Sequence, residues 1–86
     1  MPVSNMDVVE RIARVIAARM VSVNAEGEEA HAGERVDEIW REFRDDALSV
    51  LRTLREPDPV MAEAGDVATW ERMIEAALAE ADASAL

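Results

Sequence analysis

The sequence predicts a small all-α domain, a helical bundle of three main helices and one short helix. Apolar residues recur every three or four positions along most of the chain, turn residues separate these periodic segments, and no stretch alternates apolar and polar residues as a strand would. With 86 residues, the chain is expected to form one domain, 1–86, with an acidic loop at about 24–33 and a frayed tail at about 83–86.

The first predicted helix covers about residues 6–23. Ser4 or Asn5 precedes it and provides a short polar side chain that can accept the first backbone N–H groups of a helix. Two oppositely charged pairs at a spacing of four residues favour the helix: Asp7 with Arg11, and Glu10 with Arg14. The apolar positions that share one arc and form the expected buried stripe are Val9, Ile12, Ala13, Ile16, Met20 and Val23.

The second predicted helix, over about residues 34–55, has the clearest periodicity in the chain. Its apolar stripe steps by four and three residues through Val36, Trp40, Phe43, Ala47, Val50 and Leu54, and it is widened by Ile39 and Leu51. Three heptads are short for an isolated coiled coil, so packing into a bundle is expected. Pro57 ends the helix, because the residue before a proline avoids the α-helical conformation.

Asp58-Pro59 predicts the start of a short helix over 60–64, since an N-cap residue followed by proline is a typical helix beginning. Gly65 is expected to stop this helix. The last helix is predicted over about 67–81 with Asp66 as its cap. Its expected apolar face consists of Trp70, Met73, Ile74, Ala77, Leu78 and Ala81.

The inventory of reactive side chains argues against an enzyme and against a bound cofactor. The chain has one histidine, no cysteine, no lysine and no tyrosine. His31 lies among glutamates in the 24–33 loop, but the spacing matches no established metal motif, so an exposed loop histidine is the expected reading and a metal site the alternative. Asp45 and Asp46 are expected on a solvated helix face, because adjacent helical residues point about 100° apart.

The formal net charge of −10 disfavours direct binding to nucleic acid or to an anionic membrane, which needs a basic face. A DNA-reading helix-turn-helix would also need a basic recognition helix, and the last helix contains a single arginine. The lack of cysteine fits a reducing cytoplasm. Arg11, Arg14 and Arg19 interrupt the N-terminal apolar residues, so neither a signal peptide nor a membrane span is expected there.

Two stripes of opposite charge flank the apolar faces of the second and last helices. One stripe consists of Arg41, Arg44, Arg52 and Arg55, and the other of Glu71, Glu75 and Asp82. They are predicted to pair across a helix–helix contact, either within one chain or between two chains. The alternative is that the arginine stems merely cover the edge of the core while their charged ends stay in water.

The function expected from these features is a non-enzymatic protein–protein interaction module that self-associates, most simply as a dimer. Small helical chains with modest cores often need a second subunit for stability. The candidate residues for self-association lie on the second and last helices: Trp40, Phe43, Val50, Leu54, Trp70, Met73, Arg41 and Arg44.

The alternative function is an acidic inhibitor that occupies the nucleic-acid-binding site of a basic defence or regulatory protein. Its candidate partner-binding residues are Glu26, Glu28, Glu29, Glu34, Asp37, Glu38, Glu71, Glu75 and Asp82. The competing reading is that these acids only keep a small protein soluble.

The C-terminal part of the chain contains L-x-E-P at 54–57, M-x-x-A-G at 61–65 and W-x-x-M-I-x-A-A-L at 70–78. This pattern resembles small uncharacterised helical proteins of proteobacterial and phage or prophage genomes, and the segment 9–14 is similar to their opening. The likeness covers about 54–79 and the start, and it departs in the 24–33 loop, which lacks the aromatic residue often found there. The resemblance implies an accessory protein of a mobile element and assigns no functional residues.

Overall fold

Five α-helices and one 3-10 helix make up the part of the chain that the computed structural model describes, residues 3–25 and 32–84. In chain order they are α1 (Val8–Ala25), α2 (Ala32–Ile39), the 3-10 helix (Trp40–Phe43), α3 (Arg44–Leu54), α4 (Pro59–Ala64) and α5 (Val67–Ser84). No strand occurs within these residues. With the 3-10 segment taken as an irregularity, 32–54 is the second of three main helices, so the predicted all-α fold is confirmed.

Helix α1 is the central element, because it packs against α2, the 3-10 helix, α3 and α5. Its buried residues are Val9, Ala13, Ala17 and Val21, a row with steps of four. The prediction that Met20 and Val23 belong to the buried stripe is wrong, since both side chains are exposed. The alanines in the row present short side chains to the surrounding helices, which allows close approach on several sides of α1.

The second main helix is interrupted where the sequence predicts a continuous one. The 3-10 segment Trp40–Phe43 advances about 120° per residue instead of about 100°, so positions before and after it do not project onto one stripe. In α3 the buried residues are Ala47 and Leu51, while Val50 and Leu54 are exposed. The expectation that Val50 and Leu54 lie on the buried stripe, with Leu51 at its margin, is therefore wrong.

The helix starts follow local side-chain chemistry. Asp58 caps α4 as predicted, since its carboxylate accepts the Met61 backbone N–H at 2.9 Å, and Pro59 occupies the first turn. For α1, the cap is Asp7, whose carboxylate accepts the Glu10 backbone N–H at 2.7 Å, rather than Ser4 or Asn5. An acidic side chain directly before the helix thus takes the place of the expected cap.

The helix ends also differ from the sequence prediction. Gly65 ends α4 in an extended conformation instead of the left-handed one typical of a C-terminal glycine. Helix α1 continues to Ala25 and α2 begins at Ala32, so the connection is shorter than the predicted 24–33 loop. Helix α5 extends to Ser84, within the stretch expected to fray. The predictions on Glu26, Glu28, Glu29 and His31 fall outside the described residues.

Candidate interaction surface

The hydrophobic core is small for the amount of apolar surface in the chain. Four of the nine buried residues are alanines, and the larger ones are Val9, Val21, Trp40, Leu51 and Ile74. Among the described residues, eleven large apolar side chains are exposed, compared with these five that are buried. The radius of gyration is 15.1 Å, against about 12 Å for a compact chain of this length. The fold therefore leaves much of its apolar surface uncovered.

Part of this surface forms a cleft between α4 and the start of α5, which we call the α4–α5 cleft. It has a volume of about 360 Å³. Its lining residues are Pro57, Met61, Ala64, Gly65, Asp66, Val67, Thr69, Trp70 and Met73. Helix α4 buries no residue of its own, so this wall of the cleft is held mainly by the chain connections at its two ends.

A second depression, the α1–α5 groove, lies on the other side of Met73. It has a volume of about 790 Å³ and runs between the segment 3–12 and α5, with the end of α3 as its third boundary. Trp70 and Met73 line both depressions. Met73 is 62% exposed, the highest value of any large apolar side chain in α5. The two depressions thus form one largely apolar surface that continues across Met73, and the charged residues that line its groove part are Asp7, Arg11 and Glu80.

Trp70 fixes the position of α5 on α3. Its indole N–H donates a hydrogen bond of 2.7 Å to the backbone carbonyl of Leu54, in the last turn of α3, where carbonyls lack partners within the helix. The ring is half-buried and lines the surface instead of projecting from it. Trp70 was predicted as a self-association residue, and this contact shows that it also holds the fold together.

Trp40 is enclosed by the chain itself and is 7% exposed, so the expectation that it contacts another subunit is wrong. The guanidinium groups of Arg14 and Arg41 lie 5.2 Å and 4.6 Å from the centre of its ring. Arg14 also bonds to Asp37 at 2.6 Å and Glu10 at 2.7 Å. These bonds, the one to Asp37 foremost, raise the pKa of Arg14 above its ordinary value.

Several residues that were predicted for self-association instead make contacts within the chain near Trp40. The stacking on Trp40 places Arg41 against its own chain, and the half-buried Phe43 packs against the core. Of the two predicted pairs in α1, the structure forms the one between Glu10 and Arg14. Sequence reasoning missed the part played by Arg14, because its partner Asp37 is 23 positions away and only the packing of α2 on α1 brings them together.

The predicted pairing of the two charged stripes does not form within the chain. Arg44 donates a hydrogen bond of 3.0 Å to the backbone carbonyl of Ala81, which joins α3 to α5 without a carboxylate. In the described part of the chain, no ion pair joins the arginine stripe (Arg41, Arg44, Arg52 and Arg55) to the acidic stripe (Glu71, Glu75 and Asp82). Pairing of these stripes between two chains stays a prediction.

The acidic residues proposed for partner binding have different surroundings. Glu34, Asp37 and Glu38 are all exposed, and of these Asp37 is paired with Arg14 and Glu34 also has an interaction partner. The three candidate acids in α5, which are Glu71, Glu75 and Asp82, are all exposed. Over residues 3–25 and 32–84, no group of three or more histidine and carboxylate side chains is arranged to hold a metal ion.

Met61 and Val67 are residues of the surface that the sequence reasoning missed. They lie in and just after the six-residue helix α4, which is too short for a periodic pattern to reveal a face. The nearest indication in the sequence was the helix-ending Pro57 with the helix-starting Asp58-Pro59, which correctly separate a short element from the bundle.

Comparison of the chain with protein-family models gives no match, and neither do comparisons with curated proteins and with solved structures. None of the helices in the described residues is long and apolar enough to span a membrane.

Proposed function

We propose that the chain is a non-enzymatic protein–protein interaction module that binds through the apolar surface around Met73. The observation that supports this proposal most strongly is the continuous apolar surface formed by the α4–α5 cleft and the α1–α5 groove. Contiguous apolar patches on small proteins mark sites of association, because their burial releases water at about 25 cal/mol per Å².

The residue types of this surface suit the binding of another protein. Methionine side chains such as Met61 and Met73 have unbranched, polarisable ends that adapt to a partner's shape. Trp70 is already fixed by its bond to Leu54, so little side-chain entropy would be lost when a partner packs against its ring. The proposal places the protein in the cytoplasm, because the sequence has no cysteine. It also makes the protein an accessory protein of a mobile element, because of the family resemblance described above.

The proposal is tested with two matched substitutions. Met73→Asp places a charge on the surface, and Val15→Asp places the same charge on the outer side of α1, where the native side chain is equally exposed, 63% against 62%. The molar mass of each purified chain is measured by light scattering. Each chain is then used to capture partners from nuclease-treated lysate. Circular dichroism confirms that both variants remain helical.

We expect the wild type and Val15→Asp to assemble, with themselves or with a captured protein, and Met73→Asp to lose that assembly. Equal behaviour of the two variants would contradict the proposed surface. A wild-type chain that neither self-associates nor captures a protein would contradict the function itself.

A second candidate is the acidic inhibitor, and the observation that favours it is the exposed stripe of Glu71, Glu75 and Asp82 on α5. Against it, Asp37 is already paired with Arg14. A captured basic protein that leaves the bait as salt rises would favour this function, because screening weakens contacts between exposed charges. A partner that resists salt would favour the apolar surface instead.

A further inference from the structure

Helix α5 has an outer face, turned away from the buried Ile74 and Ala81, whose charges sum to zero. At about 100° per residue, six exposed residues fall within an arc of about 120°. We call this the α5 outer face, and it consists of Arg72, Met73, Ala76, Ala79, Glu80 and Ala83. Four of the six residues are methionine or alanine, and the two charged ones are one arginine and one glutamate.

One flank of the α5 outer face borders the α1–α5 groove. Met73, Ala76 and Glu80 line the groove on the α5 side, and Val3 and Met6, both exposed, line it on the other. Helix α5 has 18 residues and is therefore about 27 Å long, enough for a full helix–helix contact. Half of the α5 outer face thus borders the groove, and its other residues, Arg72, Ala79 and Ala83, lie outside the groove.

The two charged residues on this face have opposite signs and lie toward opposite ends of the helix. Arg72 contacts the hydroxyl of Thr69 at 3.2 Å, and neither Arg72 nor Glu80 has an ion-pair partner in the described part of the chain. They are eight residues apart, about 12 Å along the axis, and Ala76 lies midway. A two-fold axis beside Ala76, perpendicular to the helix, would bring each charge level with its opposite on a second helix.

We propose that the partner bound at this surface is a second copy of the chain, with its α5 packed antiparallel against the α5 outer face. Arg72 then pairs with Glu80 of the partner subunit, and Glu80 with Arg72 of the partner subunit. This inference rests on the proposed function and specifies its partner.

Charge distribution favours a second copy over a basic protein. Glu71, Glu75 and Asp82 lie about 120° around the helix from Ala76, on the side where a basic partner would bind. The α5 outer face itself sums to zero, with its positive charge toward the helix start and its negative charge toward the end. A complementary helix must present the reverse order at the same spacing, and an antiparallel copy does so by symmetry.

The test uses single cysteines, since the chain has none of its own. Helices packed about 10 Å apart bring facing Cα atoms to about 5 Å, which suits a disulfide. Ala76→Cys lies beside the proposed axis and faces its own copy. Ala83→Cys, on the same face, would lie about 21 Å along the axis from its copy and serves as the matched control. Both variants are oxidised mildly, and the mass of the wild type is measured in parallel.

We expect most of the Ala76→Cys protein to convert to a covalent dimer of twice 9.5 kDa, while Ala83→Cys stays at background. Equal cross-linking of both variants would overturn the antiparallel register. A wild type of doubled mass without Ala76→Cys cross-linking would overturn this inference and leave the proposed function standing. A monomeric wild type would also overturn the inference, and capture from lysate would then decide the proposed function on its own.

Discussion

Replacing Leu51 by alanine should destabilise the fold more than the same replacement at Leu54, three residues away in α3. Leu51 is 1% exposed, so its truncation removes buried apolar atoms and leaves a cavity, which costs about 2.7–5 kcal/mol in well-packed cores. Leu54 is 39% exposed. About three fifths of the free energy of transferring a leucine side chain out of water applies at this position, and solvent fills the space that the truncation leaves. The expected cost of Leu54→Ala is therefore about 1.5 kcal/mol.

The measurement is thermal and urea unfolding of both variants, followed by circular dichroism. A domain of this size loses about 4–8 °C in Tm for each kcal/mol, so Leu51→Ala should melt at least about 10 °C below the wild type. The cost of Leu51→Ala is also a large share of the total free energy of unfolding, which is about 5–15 kcal/mol for a typical domain. Each chain is unfolded at two concentrations, because a contribution from association makes Tm concentration-dependent.

The refuting result is a cost at Leu54 equal to or above the cost at Leu51. That outcome would place Leu54 on the buried stripe, as a continuous second helix requires, and would contradict the 3-10 interruption at 40–43. The comparison is well matched, since chemistry and helix are the same at both positions.

Two further substitutions test local contacts. Trp70→Phe removes the donor to the Leu54 carbonyl, and we expect a loss of about 0.5–1.5 kcal/mol in urea unfolding; an unchanged midpoint would show that the bond does not hold α5 on α3. Asp58→Ala removes the cap of α4 and should speed hydrogen exchange at the Met61 amide while the global Tm shifts little, because α4 buries no residue. A large global loss would mean that α4 is part of the core.

The helical class and several helix starts were predictable because their signals are local. Asp58-Pro59 begins α4 as the sequence predicts, since capping and proline act within one turn. The cap of α1 was misplaced by a few residues because Ser4, Asn5 and Asp7 all have suitable side chains. Local chemistry alone does not choose among adjacent candidates.

The buried faces were less predictable, because packing partners and helix irregularities select them. Met20 has the right spacing for the α1 stripe, yet the side of α1 that meets its neighbours runs through Ala17 and Val21. Trp40 was expected on the apolar stripe, with an interface role as the alternative, and it is buried there between two arginines. Spacing cannot reveal this, since one of those arginines comes from another helix.

The candidate surface was predicted only in part. Met73 and Trp70 were identified from their helical spacing and do line it. The proposed pairing of Arg72 with Glu80 between copies was not foreseen, because a separation of eight residues exceeds the three- or four-residue spacing of pairs within a helix. Such a relation becomes visible only when the exposed side of α5 is known.

The most direct test of the account is the mass, by light scattering, of a mixture of two charge variants. Arg72→Glu puts two glutamates on the α5 outer face and Glu80→Arg puts two arginines there, so each chain should repel its own copy. An exposed ion pair is worth up to about 1 kcal/mol and symmetry alters two pairs at once, so each variant alone should dimerise about tenfold more weakly or worse.

Mixing the two variants restores both pairs, and the account predicts that the mixture returns to the dimeric mass of the wild type. Glu75→Arg, away from the α5 outer face, is the control and should dimerise as the wild type does. A mixture no more dimeric than either variant alone, or an Arg72→Glu chain as dimeric as the wild type, would contradict the antiparallel pairing of α5.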